Sequence, residues 1–360
     1  LKWVHCPFEI HDRRPGARLT PAAPLNAQQM KYGYLEFRYG NDANRTSVNI
    51  GDNIQSLATR ALFGRLGIAP EDMVGIDRDA LRDYAGEPVR LIMNGCFHDG
   101  CFPLPPQVEP VFFGFNAETE SVVTRNRELL LRHQPIGCRD AVTRRMLEKH
   151  GIAAFVTGCV TMTLPRRDAA PADGVPVIAY GSGPGALPAV VLQAMPKPML
   201  ESARLIYQRE PISCTPLADG DVARMEGLAA RYLDFYRRHA RLVVTPLLHV
   251  ASPCLGMGVP VVLIRRDRNA RFTAIDRLTP LYTPEDARRI DWDAGALELE
   301  ELKGAMTSSA GALLAGRSPD PRALAVLAQA FDQDPILEPA PRSFKRRLRD
   351  LLRGGRLMPA

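Results

Sequence analysis

The sequence predicts an α/β fold of two Rossmann-like domains facing a cleft. Three observations carry that expectation. Short β-rich apolar runs alternate with stretches of helical spacing along most of the chain, the pattern of parallel strands joined by crossover helices. The alternation occurs in two sets. A stretch rich in Pro, Ala, Asp and Arg, residues 165–174, separates them. The length of 360 residues suits two domains at roughly 150 residues each, and a hydrophobic content of 46% is enough to bury real cores. The expected organisation is a first domain over 1–165 with an irregular lead-in at 1–30, a second over 175–335, and a basic amphipathic tail over 336–360.

The elements follow in order. The first organised unit starts near Tyr34. Ser47-Val48-Asn49-Ile50 reads as a strand, Gly51-Asp52 as a turn, and 53–66 as a helix. Residues 89–93 and 111–115 read as short buried strands, the first ending at Asn94-Gly95. Residues 118–133 have helical spacing at Val122, Leu129 and Leu130. Asp140 caps a helix through His150 that Gly151 stops, and Ala154-Phe155-Val156 is the next strand. After the linker, 175–180 and 204–207 read as strands. A long helix over 221–240 carries Leu228, Tyr232, Phe235 and Tyr236 as its apolar face. Then come a strand at 241–245, a short helix at 249–258 and a strand at 259–264.

Composition narrows the function. The excess of 46 basic over 40 acidic residues, net +6, suits anionic ligands or an anionic membrane surface. No zinc finger or aromatic-rich basic motif supports nucleic acid as a partner. The seven cysteines are scattered and odd in number, most of them in apolar runs, which predicts a reducing cytoplasm rather than a disulfide framework. No apolar stretch is long and uncharged enough to span a bilayer. In the tail, 342–356 interleaves Lys345, Arg346, Arg347, Arg349 and Arg353 with Phe344, Leu348, Leu351 and Leu352. It reads either as an amphipathic helix lying at an anionic inner membrane face or as a solvated terminal helix.

Ligands of parallel sheets bind beyond the carboxyl ends of strands, so polar and glycine residues just after apolar runs are the candidates. Asn49-Ile50-Gly51-Asp52-Asn53-Ile54-Gln55 places a glycine turn before a helix. Asp52 and Gln55 could hold sugar hydroxyls, or Asp52 or Asn53 is only a cap. Asn94-Gly95 follows a strand. Arg139 precedes a helix start, where a phosphate or carboxylate is favoured, or it forms a surface pair with Asp140. Thr245, Leu248 and His249 close a buried strand and open a small-residue helix. His249 is then a site residue or a core histidine. Arg265, Arg266, Arg268 and Arg271 follow the next strand, as phosphate ligands or a solvated loop. Gly181-Ser182-Gly183-Pro184-Gly185 lacks the Lys-Ser/Thr ending of a phosphate loop and reads as a turn. His98, Asp99, Cys96 and Cys101 show no ligand-spaced partner pair, so no metal is expected.

Taken together, Gly51-Asp52-Asn53-Ile54-Gln55, Asn94-Gly95, Ile136-Gly137-Cys138-Arg139-Asp140, Thr157-Gly158-Cys159-Val160-Thr161 and Leu248-His249 with Gly258-Val259-Pro260 resemble the polysaccharide pyruvyl transferase family over about 51–272. The resemblance implies a GT-B-like fold and phosphoenolpyruvate as donor. It implies a sugar diol as acceptor, on an exopolysaccharide or its lipid-linked oligosaccharide precursor, and no cofactor or metal. It implies His249, Arg139 and Arg268 as catalytic residues, His249 as either the acid or a phosphate ligand, with Arg271 competing for the role of Arg268. Asp52, Asn53, Gln55, Asn94, Gly95, Thr245, Leu248 and Arg271 are then the substrate contacts. Three departures stand out, one of them an arginine, Arg268 or Arg271, where the downstream basic residue is often Lys. Leu247 occupies a position where many members carry Arg, and Cys96 follows Asn94-Gly95 where an aromatic is common. The rival readings are a sugar-nucleotide glycosyltransferase of the same fold and a non-catalytic saccharide-binding relative.

Overall fold

The computed structural model describes residues 30–333. The expectations for the lead-in and for the basic tail with its 342–356 segment lie outside the described residues. The strands of the first half are β1 (Lys31–Glu36), β2 (Ser47–Asn49), β3 (Met73–Asp77), β4 (Val89–Ile92), β5 (Gly95–Phe97), β6 (Val108–Val111), β7 (Phe115–Ala117), β8 (Ile136–Cys138) and β9 (Ala154–Val156). Apart from β2 they form two parallel sheets, ordered β3-β1-β4-β6 and β5-β7-β8-β9. The single strand expected over 111–115 is two. The chain kinks at Gly114, whose φ of 75° brings the backbone so near Asn94 that an added Cβ would lie 2.1 Å from its Oδ1.

The helices of this half are α1 (Ile50–Arg65), α2 (Glu120–Arg125), α3 (Arg127–Arg132) and α4 (Ala141–Lys149). The helix expected over 118–133 breaks at Asn126, whose side-chain amide donates to the Val122 carbonyl at 2.9 Å and competes with the backbone ladder. Helix α1 begins earlier than the sequence suggests. Asn49 is its cap and accepts from the Gly51 N–H at 3.1 Å. Gly51-Asp52 is therefore the helix's first turn, and neither Asp52 nor Asn53 serves as the cap. Helix α4 starts and stops as predicted, with Asp140 capping and Gly151 left-handed at φ 73°.

The second half contains β10 (Val175–Tyr180), β11 (Arg204–Tyr207), β12 (Arg209–Pro211), β13 (Ala240–Thr245), β14 (Val261–Ile264) and β15 (Leu281–Tyr282). Its helices are α5 (Ala189–Ala194), α6 (Lys197–Ser202), α7 (Asp219–His239), α8 (Leu248–Gly256), α9 (Glu300–Leu314) and α10 (Pro321–Phe331). The five-stranded sheet is parallel, ordered β11-β10-β13-β14-β15. Both faces are covered, and the strands alternate accordingly. Val177, Ala179 and Val243 join the main core, while Ile178, Leu242, Val244 and Val262 form a second cluster on the other face. The buried face of α7 is Val222, Met225, Ala229, Leu233 and Tyr236, so Leu228, Tyr232 and Phe235 are displaced to its half-buried flank. Helix α7 packs against α1, and Arg60 of α1 pairs with Glu226 of α7 at 2.7 Å.

The halves share structure. β2 pairs antiparallel with β12, Asn49 opposite Arg209. Helices α9 and α10 return to the first half, where Arg90 Nη1 donates to the Leu314 carbonyl at 2.7 Å and α10 packs on β9. One apolar core runs from Tyr34 to Phe331 through both halves. In each half the strand order reverses beside the first strand, at β1 and at β10. The crevices beyond the carboxyl ends of these strands are where ligands of such sheets sit. Among the described residues no helix is long and apolar enough to cross a membrane.

Candidate active site

The site is assembled from strand ends. β13 stops at Thr245, whose Oγ1 accepts the Leu247 N–H at 3.1 Å and turns the chain into α8. Pro253 has no N–H to give the carbonyl four residues back, which belongs to His249, and its ring crowds that carbonyl. His249 accordingly departs from helical geometry, with φ −84° and ψ 16°. Gly51 at the start of α1 lies against it, so close that an added Cβ would sit 2.8 Å from His249 Cβ.

His249 is buried and its Nε2 has no hydrogen-bond partner. Its Nδ1 lies 3.8 Å from Asp52 Oδ1. That contact is an ion pair only when the ring is protonated. Burial, then the charges of Arg139 and Arg271, hold its pKa well below the usual histidine value, so the ring is neutral. Asp52 is fixed from three sides, receiving Tyr39 OH at 3.1 Å, Gln55 Nε2 at 3.3 Å and Asn49 Nδ2 at 3.5 Å. Tyr39 follows β1 in a left-handed conformation at φ 59°. Burial, and then the Asp52 charge, push its phenol well above the ordinary value, which keeps it a donor.

Arg139 closes the other side. The surface pair with Asp140 does not form, since both residues are buried. Asp140 instead accepts from the Thr143 N–H at 2.9 Å and from Asn116 Nδ2 at 2.6 Å. The same amide turns its Oδ1 to Arg139 Nη2 at 2.8 Å. Arg139 Nε and Nη1 are left buried without partners. Burial and the nearby Arg271 lower its pKa, so the free site strains to hold this cation.

The remaining predicted residues divide. Leu248 and Arg271 line a cavity of about 100 Å³ together with His249. Arg268 does not. Its Nη2 donates to the Leu281 carbonyl at 3.3 Å, on the side of Asp276. Thr245 shapes the turn, Gln55 supports Asp52, and Asn53 is buried in α1. Asn94 Oδ1 accepts the Val160 N–H at 3.2 Å and ties the 157–165 segment to the end of β4, while Gly95 N–H bonds the Gly114 carbonyl at 3.2 Å.

The sequence reading named Arg265 among the arginines after β14 and passed over Tyr39, Asn116 and Gln208. It also treated 181–185 as a mere turn. Those residues do turn, through a short 3-10 segment at Gly183–Gly185, but they wall a cavity of about 280 Å³ continuous with the smaller one. Gln208 and Arg265 lie just beyond the carboxyl ends of β11 and β14, the position that singled out His249, while Asn116 lies within β7. Farther off, the structure gathers Asp79, His98 and Cys101, with possible ligand atoms within 4.8 Å of one another. Arg78 and His98 both hold the Asp79 carboxylate, and burial pushes the Cys101 thiol up to about 11, so the group reads as a hydrogen-bonded cluster. A more open hollow of about 440 Å³ beside Leu104 and Arg132 shares no lining residue with the cavities of about 100 and 280 Å³.

Comparison with known proteins agrees with the motifs. The family model described as polysaccharide pyruvyl transferase matches residues 49–268. No curated protein matches the chain. Among solved structures, a functionally uncharacterised protein of Klebsiella pneumoniae is 15% identical, covering 71% of this chain and 93% of its own, with a TM-score of 0.41.

Proposed function

The chain belongs to the polysaccharide pyruvyl transferase family, and from that premise we propose that it transfers the pyruvyl unit of phosphoenolpyruvate to a sugar diol as a ketal. The acceptor is an exopolysaccharide or its lipid-linked precursor, and the two halves act as the facing domains of a GT-B-like arrangement. One observation supports the reading above the others. A neutral, buried histidine with a free Nε2, its pKa lowered by burial and then by the charges of Arg139 and Arg271, lines a small cavity with Arg265 and Arg271 and with no carboxylate in its lining.

Ketal formation begins with a proton on the methylene carbon of the donor. The central carbon becomes cationic, one sugar hydroxyl adds, phosphate leaves, and the second hydroxyl closes the ring. The trianionic donor brings the counter-charge that Arg139 and Arg271 lack in the free site. With those cations neutralised, their share of the opposition to the imidazolium form of His249 is removed, and Asp52 at Nδ1 offsets the cost of its burial. Nε2 then delivers the proton, and the neutral ring regenerated can accept one from the attacking hydroxyl. Arg271 takes the phosphate-binding role that the resemblance also offered to Arg268, because Arg271 is the one that lines the cavity.

The test is phosphate release from phosphoenolpyruvate across a panel of glycans, with the product weighed. Sugar-dependent release with a matching mass gain is expected. His249→Ala should lower kcat at least a hundredfold with donor affinity within a few-fold of wild type. Turnover with a nucleotide sugar as donor in place of phosphoenolpyruvate would replace this reading by the glycosyltransferase.

A further inference from the structure

The larger cavity shares Gln208, Arg265 and Arg271 with the small cavity at His249 and adds Arg209. It lies at the strand-order reversal of the second sheet, between the 181–185 turn after β10 and Leu247 after β13. Leu247 packs directly on this turn, since a Cβ on Gly185 would meet its Cδ2 at 2.9 Å. Arg265 is 8% exposed and its Nε has no partner. Its Nη1 reaches only the Pro246 carbonyl, at 3.1 Å, and its guanidinium lies over the Phe272 ring at 4.6 Å. The nearest carboxylate, Asp267, is exposed and 4.0 Å away. Arg209 enters from β12, braced by Ser47. One polar atom of the buried Gln208 amide also faces no partner. No Asp or Glu lines this cavity. A buried guanidinium in an acid-free hollow is stabilised by an anion arriving there.

Building on the pyruvyl-transfer reading, we propose that this cavity is the acceptor subsite and that the acceptor sugar carries a phosphate ester. Arg265 and Arg209 hold the phosphate, Gln208 takes a sugar hydroxyl, and the 181–185 turn with Leu247 forms the apolar wall under the ring. The diol then faces His249 from the side of the smaller cavity. A volume of about 280 Å³ admits one sugar unit with its phosphate and little more.

The experiment is calorimetric titration of the full chain, first with phosphoenolpyruvate and then, at saturating donor, with inorganic pyrophosphate as the probe. One further equivalent of pyrophosphate is expected to bind. Arg209→Gln should weaken it at least fivefold with donor affinity unchanged. Because Arg209 also braces the β2–β12 ribbon, Ser182→Asp is the second variant. It adds a negative charge to the exposed rim and should weaken pyrophosphate equally. Pyrophosphate that competes one for one with phosphoenolpyruvate, or that binds both variants as wild type does, overturns the subsite. A hexose 1-phosphate should displace pyrophosphate better than inorganic phosphate or the methyl glycoside, and equal displacement by inorganic phosphate overturns its assignment to an acceptor. Nucleoside diphosphate and polyprenyl diphosphate sugars in the same competition distinguish the source of the ester. Wild type that binds pyrophosphate but no phosphoenolpyruvate would sink the donor reading and leave the anion subsite standing.

Discussion

At the scale of single residues, the site is a place where stability has been set against function. Arg139 lies 1% exposed with two of its nitrogens unpartnered and its charge opposed by Arg271. Replacing such a buried ion by an apolar side chain of similar length is often neutral or stabilising by about 1–4 kcal/mol. Arg139→Met should therefore melt no lower than wild type, while losing the rise in Tm that phosphoenolpyruvate gives. A lower Tm without donor would mean that Arg139 is structural. His249 makes a second case, and its sign follows from linkage. The unfolded imidazole takes up a proton as pH falls through about 6.5, whereas the buried ring, with its pKa depressed, does not. Stability is thus complete above that pH and is lost as pH falls toward the folded value, at up to about 1.4 kcal/mol per pH unit. His249→Gln should show a shallower loss of Tm from pH 7.5 to 5, and saturating donor should flatten the wild-type curve. Matching curves for the two free proteins would show that the ring is not held neutral.

At the scale of elements, the chemistry depends on where α1 and α8 begin. Asn49 caps α1, and Gly51 allows its first turn to approach His249. Alanine at 51 would favour the helix by about 0.5–1 kcal/mol, but its Cβ has no rotamer by which to avoid His249. Gly51→Ala should keep its Tm within a few degrees and lose at least tenfold in kcat. Wild-type turnover would show that the approach of the two turns has no bearing on the reaction. Much at this scale was legible in the sequence. Asp140 and Gly151 bounded α4, and strands β9, β10 and β11 stood at their observed limits, because caps, glycines and short β-branched runs act locally. What escaped was settled by distant contacts. The Asn126 break, the Gly114 kink and the rotation of α7 by one residue each depend on what packs or bonds against the element. Asn116 reaches Arg139 across 23 residues, and no spacing in the chain announces it. The end-of-strand rule, which had already found Arg265, would have added Gln208 just past β11 if applied evenly, whereas Asn116 sits inside β7.

At the scale of the whole molecule, the two halves share one apolar core, which predicts a single cooperative unfolding transition. The apolar core does not stop at the linker, β2 and β12 share a ribbon, and α9 and α10 close over the first half after leaving the second. Phe331, near the end of α10, is buried against Gly158, where an added Cβ would stand 3.0 Å from its ring. Gly158 begins the segment that Asn94 ties to β4, and Thr161 of that segment donates to Ser252 of α8, three residues beyond His249. A contact at the far end of the chain therefore supports both crevices. If the halves were independent, damage at Phe331 would split the unfolding into two steps. Because they share a core, Phe331→Ala should lower one undivided transition by about 3–5 kcal/mol. Scanning calorimetry of the wild type should give equal van 't Hoff and calorimetric enthalpies, and the variant should give the same ratio at a lower Tm. Two resolved transitions in the wild type would show that the halves unfold independently, despite the apolar core they share.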